Sequence, residues 1–132
     1  MTRSLLIYEG LAPFSAAMGM EVQPAPPGQI ELRLGVQDWL ANLKGDLHGG
    51  AIAALIDTAA GLCAMQGHPE GTASSTVSMT INYLAPGRGD LRCRAQAARL
   101  GKSITFIEVR VFDDDEQLIA TASLVMKLFQ PR

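Results

Sequence analysis

Residues 42–50 read Asn-Leu-Lys-Gly-Asp-Leu-His-Gly-Gly, and they lead directly into the longest helical pattern of the chain. That pattern covers residues 50–66, where an alanine-rich composition favours helix and Gly67 stands in position to end it. The bulky residues at helical spacing, which predict a face that packs on a sheet, are Ile52, Leu55, Ile56, Ala59, Leu62 and Cys63. We therefore expect one long, buried helix that begins at the His-Gly-Gly turn.

A single carboxylate, Asp57, lies in the middle of this predicted helix. Such a group costs stability unless it is hydrogen-bonded or open to a cleft. Its neighbours one and two turns away are all small: Gly50, Ala53, Ala54, Ala60, Gly61 and Ala64. This stripe of small residues either lets another helix approach closely or leaves room for a substrate beside the acid, and the two interpretations are compatible.

The start of the helix has its own chemistry. The first N–H groups of a helix have no partner within it, and with the helix dipole they favour an oxygen that gains negative charge. Gly49 and Gly50 leave space for a substrate to approach those N–H groups. Donors of this kind polarise a carbonyl in acyl transfer. A tight turn capped by a hydrogen-bonded His48 would give the same pattern, so the turn alone decides little.

The spacing between Gly49 and Asp57 limits how these two groups can cooperate. They are eight residues apart, which along a helix is roughly 12 Å. A carboxylate that acts on a carbonyl held at the helix start must lie within roughly 3–4 Å of the reacting atoms or their water. We therefore expect an obligate dimer, with antiparallel helices that cross near Ala53 and two shared active sites.

Alternation of apolar and polar residues predicts strands on both sides of the helix. Before it we expect a short helix over residues 4–9 and strands from Met18 to Gln23 and from Ile30 to Val36. After it, a four-strand antiparallel meander is predicted over residues 76–83, 91–97, 107–111 and 118–128. The expected fold is α+β, a single domain over residues 1–132 with an antiparallel sheet wrapped around one long central helix.

Composition excludes several classes of function. The net charge is −2 and no basic stripe is present, so we expect no nucleic-acid partner. The apolar runs are far shorter than the roughly 20 residues of a membrane helix, and no signal peptide is recognisable, which predicts a cytoplasmic protein without membrane contact. Cys63 and Cys93 are expected as reduced core residues. The cysteines and histidines lack ligand-like spacing, so neither a metal nor a cofactor is expected.

Together, Asn42, Gly45, His48-Gly49-Gly50 and Asp57 resemble the pattern of PaaI-like hotdog-fold thioesterases. The resemblance continues through Met18 to Val22 before the helix, and through Ile81 to Pro86 and Gly101-Lys102 after it. It covers most of the chain and implies a hotdog fold, hydrolysis of an acyl-CoA or aryl-CoA thioester, and a homodimer or homotetramer. Related aryl-CoA enzymes have Glu in place of the Asp and a Thr one turn later, where this chain has Gly61, so their mechanism does not transfer directly.

The resemblance also implies roles for individual residues. The backbone N–H of Gly49 would polarise the thioester carbonyl, and Asp57 of the other subunit would act as general base or nucleophile. Asn42 would hold the water or the thioester, and His48 would orient the turn beside the carbonyl. The family's Ser or Thr on the following strand matches Thr76.

Three questions stay open at this level. An enoyl-CoA hydratase or dehydratase of the same fold would also use a His near the helix start and a carboxylate, although its motif differs. A non-catalytic acyl-CoA-binding module would keep the groove without needing the acid. Arg88, Arg99 and Lys102 lie near turns where the nucleotide of CoA could rest, and each also reads as an ordinary solvated charge.

Overall fold

The computed structural model describes residues 11–130. Its elements, in chain order, are helix α1 (Pro13–Ala17), strands β1 (Met20–Gln23) and β2 (Gln29–Leu34), a 3-10 turn (Asp38–Leu40), helix α2 (Gly49–Met65), and strands β3 (Ala73–Tyr83), β4 (Leu91–Arg99), β5 (Ile104–Asp113) and β6 (Leu118–Phe129). Helix α2 matches the predicted central helix. Helix α1 and the 3-10 turn were not predicted, and the short helix expected over residues 4–9 lies outside the described residues.

The six strands form one antiparallel sheet in the order β1-β2-β4-β5-β6-β3. Helix α2 packs across it, against β2 to β6, so the predicted α+β hotdog fold is confirmed. The predicted four-strand meander is wrong in one respect, because β3 lies at the far edge beside β6 and β2 takes the place beside β4. Alternation identifies the face that each strand buries but carries no information about its neighbour, and the strand order was therefore not predictable.

The core lies between the sheet and α2. The buried residues of α2 are Ala51, Ile52, Leu55, Ile56, Ala59, Ala60, Cys63 and Ala64. Two members of the predicted small-residue stripe, Ala60 and Ala64, are therefore core residues, because the buried face of the helix is wider than its bulky residues indicate. Leu62 was predicted in the core and is only partly buried.

Both thiols are buried and free. Burial raises the pKa of Cys63 and of Cys93 above the ordinary value of 9.0. Within residues 11–130, no helix is long and apolar enough to cross a membrane. The same part of the chain contains no cluster of three or more His, Cys, Asp or Glu side chains that could hold a metal ion.

Strand β3 is exceptional because most of its residues are exposed on both faces. Among residues 11–130, it lies at an edge of the sheet and pairs with no strand other than β6. The exposed fraction is 61% at Val77 and 37% at Met79. The register against β6 shifts between Thr76 and Ser78, which places a bulge where the strand passes Asp57. An unpaired edge with exposed apolar side chains is a surface on which another strand can pair.

Candidate active site

The first turn of α2 is capped by His48. Its Nδ1 accepts a hydrogen bond of 2.8 Å from the Gly50 N–H, and its backbone oxygen accepts from the N–H groups of Ala51 and Ile52. Because Nδ1 is an acceptor, the proton of the neutral ring lies on Nε2. Among residues 11–130, no acceptor takes the hydrogen of the Gly49 N–H. Of the first N–H groups of the helix, this one is left to meet a ligand.

Asn42 organises the loop that leads to this turn. Its Oδ1 accepts from the N–H groups of Lys44 and Asp46 at 2.9 and 3.1 Å, and its own N–H donates to the Asp46 carbonyl at 2.7 Å. The amide oxygen is thus committed to the loop, which leaves the Nδ2 amino group as the donor that can face a ligand. The Asp46 carboxylate accepts from Arg88 Nε at 2.9 Å, so Arg88 is paired rather than a free surface charge.

A cleft of about 340 Å³, the helix-start cleft, opens beside Gly49. Its lining residues are Asn42, Lys44, Asp46, Leu47, Gly49, Ile52, Tyr83, Leu84, Ala85, Pro86 and Gly87. The loop before α2 and the end of β3 therefore form the walls of the cleft beside Gly49. The ring of Tyr83 lies over Gly49, and its hydroxyl donates to the Gly49 carbonyl at 2.8 Å.

Asp57 faces a different space. Its Oδ1 accepts a hydrogen bond of 2.5 Å from Thr76 Oγ1, so the bulged part of β3 delivers a hydroxyl to the carboxylate. The acid cleft, of about 310 Å³, is lined by Ala12, Phe14, Ser15, Ala54, Asp57, Thr58, Gly61, Leu62 and Met65. Helix α1 forms one wall, where the buried Ser15 hydroxyl shares a hydrogen bond of 2.8 Å with Thr58 Oγ1.

The residues singled out from sequence thus fall into two groups. Asn42, His48 and Gly49 meet at the start of α2, and Asp57 and Thr76 meet at its middle. Within one chain, Asn42 and Gly49 line the helix-start cleft, and Asp57 lines the separate acid cleft. Sequence reasoning placed Tyr83 in the Ile81 to Pro86 stretch of the resemblance but gave it no contact with the helix start. It missed Ser15 altogether, because a serine in a short helix carries no motif.

Residues 44–120 match the model of the thioesterase superfamily, which is more than half of the chain. The chain belongs to the thioesterase superfamily. It is therefore a hydrolase of thioesters, and the predicted resemblance is confirmed at this level.

Two curated relatives extend the match. The chain is 36% identical over 99 residues to a putative esterase of Halobacterium salinarum, a match that covers 71% of this chain and 66% of that protein. It is 25% identical over 127 residues to the medium/long-chain acyl-CoA thioesterase YigI of Escherichia coli, covering 84% of this chain and 82% of the relative.

Solved structures have the same architecture. A Bacillus halodurans protein determined with CoA matches with a TM-score of 0.84 at 28% identity, over 92% of this chain and 81% of that one. The Escherichia coli PaaI protein matches with a TM-score of 0.85 over 98% of this chain and 93% of its own. At 20% identity, the likeness to PaaI is a likeness of fold.

Proposed function

We propose that this thioesterase hydrolyses acyl-CoA thioesters in active sites that are shared between two copies of the chain. One observation carries the proposal: the polarising N–H of Gly49 and the carboxylate of Asp57 line two different clefts of the same chain. A second copy whose α2 runs antiparallel would set the acid cleft of one chain against the helix-start cleft of the other. The acyl-CoA relative and the neighbour solved with CoA support CoA esters as the substrate class.

The chemistry assigns one task to each group. The thioester carbonyl oxygen accepts from the Gly49 N–H, which stabilises the negative charge of the tetrahedral intermediate. Asp57 takes a proton from water as the water oxygen bonds to the carbonyl carbon. Collapse of the intermediate breaks the C–S bond, and the proton held by Asp57 passes to the leaving sulfur, which releases CoA and restores the carboxylate. Direct attack by Asp57, followed by hydrolysis of the anhydride, gives the same products.

Three further residues support these steps. Thr76 donates to Oδ1 of Asp57, which leaves Oδ2 to face the water or the carbonyl carbon. Asn42 can offer its Nδ2 to the water or the thioester, because its Oδ1 is held by the loop. His48 orients the turn through Nδ1. Because that nitrogen is an acceptor and Nε2 carries the proton, His48 serves as a hydrogen-bond donor rather than as the base.

The exposed edge strand supports self-association. Antiparallel pairing of β3 with β3 of a second copy would continue the sheet across the dimer and cover the apolar side chains of Val77 and Met79. Ala53 and Ala54 on α2 are small and only partly buried, so they allow the two helices to approach at the axis. Further assembly of dimers into a tetramer is compatible with this arrangement, and light scattering after gel filtration would distinguish the two masses.

The first experiment tests which CoA thioesters are hydrolysed and whether hydrolysis requires the carboxylate of Asp57. Purified protein is assayed against short, medium, long and aryl CoA thioesters, with Asp57→Asn as the test variant and Asp114→Asn, in an exposed turn, as the control. We expect turnover by wild type and control and a loss of about 100-fold or more in Asp57→Asn. Equal rates in wild type and Asp57→Asn would remove Asp57 from the mechanism.

The second experiment tests the shared site. Gly49→Pro deletes the proposed donor, and proline suits the first position of a helix. The preceding His48 has ψ 136°, a conformation that a following proline accepts. Gly49→Ala keeps the N–H, and its Cβ would lie 3.5 Å from the Tyr83 ring, so it is the matched control.

Asp57→Ala and Gly49→Pro should each retain only residual activity alone, and refolding an equimolar mixture of the two should restore about one quarter of wild-type activity. Half of the randomly paired dimers are mixed, and each mixed dimer has one intact site of two. Failure of any mixture to recover activity, while both variants still form dimers, would contradict the shared site.

A further inference from the structure

Tyr83, the last residue of β3, contacts Gly49 at the start of α2, and the proposed reaction gives this contact no role. A Cβ added at Gly49 would lie 3.5 to 3.7 Å from three atoms of the Tyr83 side chain, Cε1, Cζ and Oη. The ring is therefore packed directly on the first residue of α2. Its hydroxyl donates to the Gly49 carbonyl at 2.8 Å, although the residue as a whole is 52% exposed.

This hydrogen bond belongs to a chain of three groups. The Gly49 carbonyl that accepts from Tyr83 shares its peptide unit with the Gly50 N–H. That N–H donates to His48 Nδ1 at 2.8 Å. A single peptide unit is thus held at both ends by side chains, and hydrogen bonds in series polarise one another.

We propose that Tyr83 is a positioning residue for the Gly49 N–H, an inference that rests on the proposed thioester hydrolysis. The two peptide planes of Gly49 meet at its Cα, so fixing the plane that holds its carbonyl restricts the direction of its N–H. Glycine has the widest backbone freedom of any residue, and without an anchor that direction would vary. Tyr83 supplies the anchor from a strand that approaches from outside the motif.

The contact also predicts which kinetic constant depends on Tyr83. Negative charge on the carbonyl oxygen develops as the tetrahedral intermediate forms and is small in the bound thioester, so the direction of the N–H affects the chemical step more than binding of the substrate. Tyr83→Phe keeps the ring on Gly49 and removes only the hydroxyl. We expect kcat to fall by about 3- to 10-fold, which corresponds to the loss of one hydrogen bond, while KM changes by less than about twofold.

Thr121→Val is the matched control, because it also removes one hydroxyl. Thr121 Oγ1 accepts a hydrogen bond of 3.5 Å from Asn82 Nδ2. Asn82 is the residue before Tyr83 on β3, so this hydrogen bond joins the same two strands but lies away from the helix start. We expect wild-type kcat and KM for Thr121→Val. An unchanged kcat in Tyr83→Phe, or a loss confined to KM, would overturn the proposal.

A double-mutant cycle separates positioning from general stability. If Tyr83 acts through the Gly49 N–H, Tyr83→Phe should have no further effect on single-turnover hydrolysis in Gly49→Pro, which has no N–H to aim. A merely structural role would give the same fold-loss in both backgrounds and would refute the inference. Should Gly49→Pro fail to fold, the kcat and KM of Tyr83→Phe alone decide the matter.

The outcomes also distinguish the inference from the proposed function. A wild-type protein that hydrolyses no CoA thioester would remove the proposed function and the inference with it. A wild-type protein that does hydrolyse them, with Tyr83→Phe equally fast, would remove the inference alone.

Discussion

At the scale of single residues, the choice among hydroxyl groups near Asp57 shows what sequence can and cannot decide. Alternation leaves Ser74, Thr76 and Ser78 equivalent, and only the family resemblance selected Thr76. The structure separates two of them: Thr76 donates to Asp57, whereas Ser74 donates to the Gly61 carbonyl at 3.4 Å. The bulge between Thr76 and Ser78 changes the phase of the strand at this point, and no residue in the sequence marks it.

Thr76→Val tests the hydroxyl that faces Asp57. The substitution keeps the shape and removes the donor to Oδ1, so the carboxylate loses its orientation. We expect kcat to fall by about 10-fold, with most activity retained in Thr76→Ser. Steady-state kinetics check this, with Ser75→Ala on the exposed strand as the control. Equal loss in Thr76→Val and Thr76→Ser would indicate a packing effect instead.

The buried thiols predict a dependence of stability on pH. Burial raises the pKa of both Cys63 and Cys93 above 9.0. The folded chain therefore holds these protons more tightly than the unfolded chain does. The stabilisation is complete below pH 9.0 and is lost as the pH rises from there towards the folded-state pKa. Between about pH 7.5 and about pH 10, the urea midpoint of unfolding should fall further in wild type than in Cys93→Ala. An equal fall in the two proteins would contradict the assignment.

At the scale of elements, α2 was predicted nearly to its ends, while its faces were predicted less well. The limits followed from the alanine-rich run and Gly67, but Ala60 and Ala64 were assigned to the cleft side and lie in the core. Small residues are ambiguous because they fit both a close helix–sheet contact and an open groove. Gly61 does line the acid cleft, one turn beyond Asp57.

Gly61→Ala should separate stability from activity. Glycine inside a helix costs about 0.5–1 kcal/mol relative to alanine, so thermal unfolding should shift upwards. The new Cβ would lie 3.3 Å from Ser74 Oγ, a neighbour that can rotate away, and it would narrow the acid cleft. Relative to wild type, we expect kcat/KM of Gly61→Ala to fall more for bulky acyl-CoA esters than for short ones. An unchanged chain-length profile would show that the acyl group does not pass Gly61.

At the scale of the whole molecule, the dimer follows from residue spacing and stays a prediction, whereas the exposed sheet edge at β3 was not predicted. The spacing of eight positions from Gly49 to Asp57 along one helix was enough to predict a second copy. The place of β3 at the sheet edge depends on its pairing with β6 rather than with β4, which is a long-range property that no local pattern contains.

Val77→Lys tests β3 as the edge that pairs. A lysine on an edge strand opposes pairing with another chain, so the variant should remain folded by circular dichroism and have the mass of one 14.1 kDa chain. It should also lose hydrolysis by about 100-fold. Val22→Lys, on the opposite edge strand β1 and 48% exposed, is the control and should stay dimeric. Light scattering after gel filtration measures both, and a dimeric Val77→Lys would shift the interface elsewhere.

The pairing of β3 with β6 also has a consequence for the order in which the molecule is made. Thr76 lies opposite Met126 and Tyr83 opposite Ala120, so the side chains that contact Asp57 and Gly49 are held in place by the last strand of the described chain. During synthesis the helix, its acid and its first turn leave the ribosome long before β6 does. A shortened chain that lacks residues 118–129 would keep all five residues singled out from the sequence, but Thr76 would lose the strand that holds it beside Asp57.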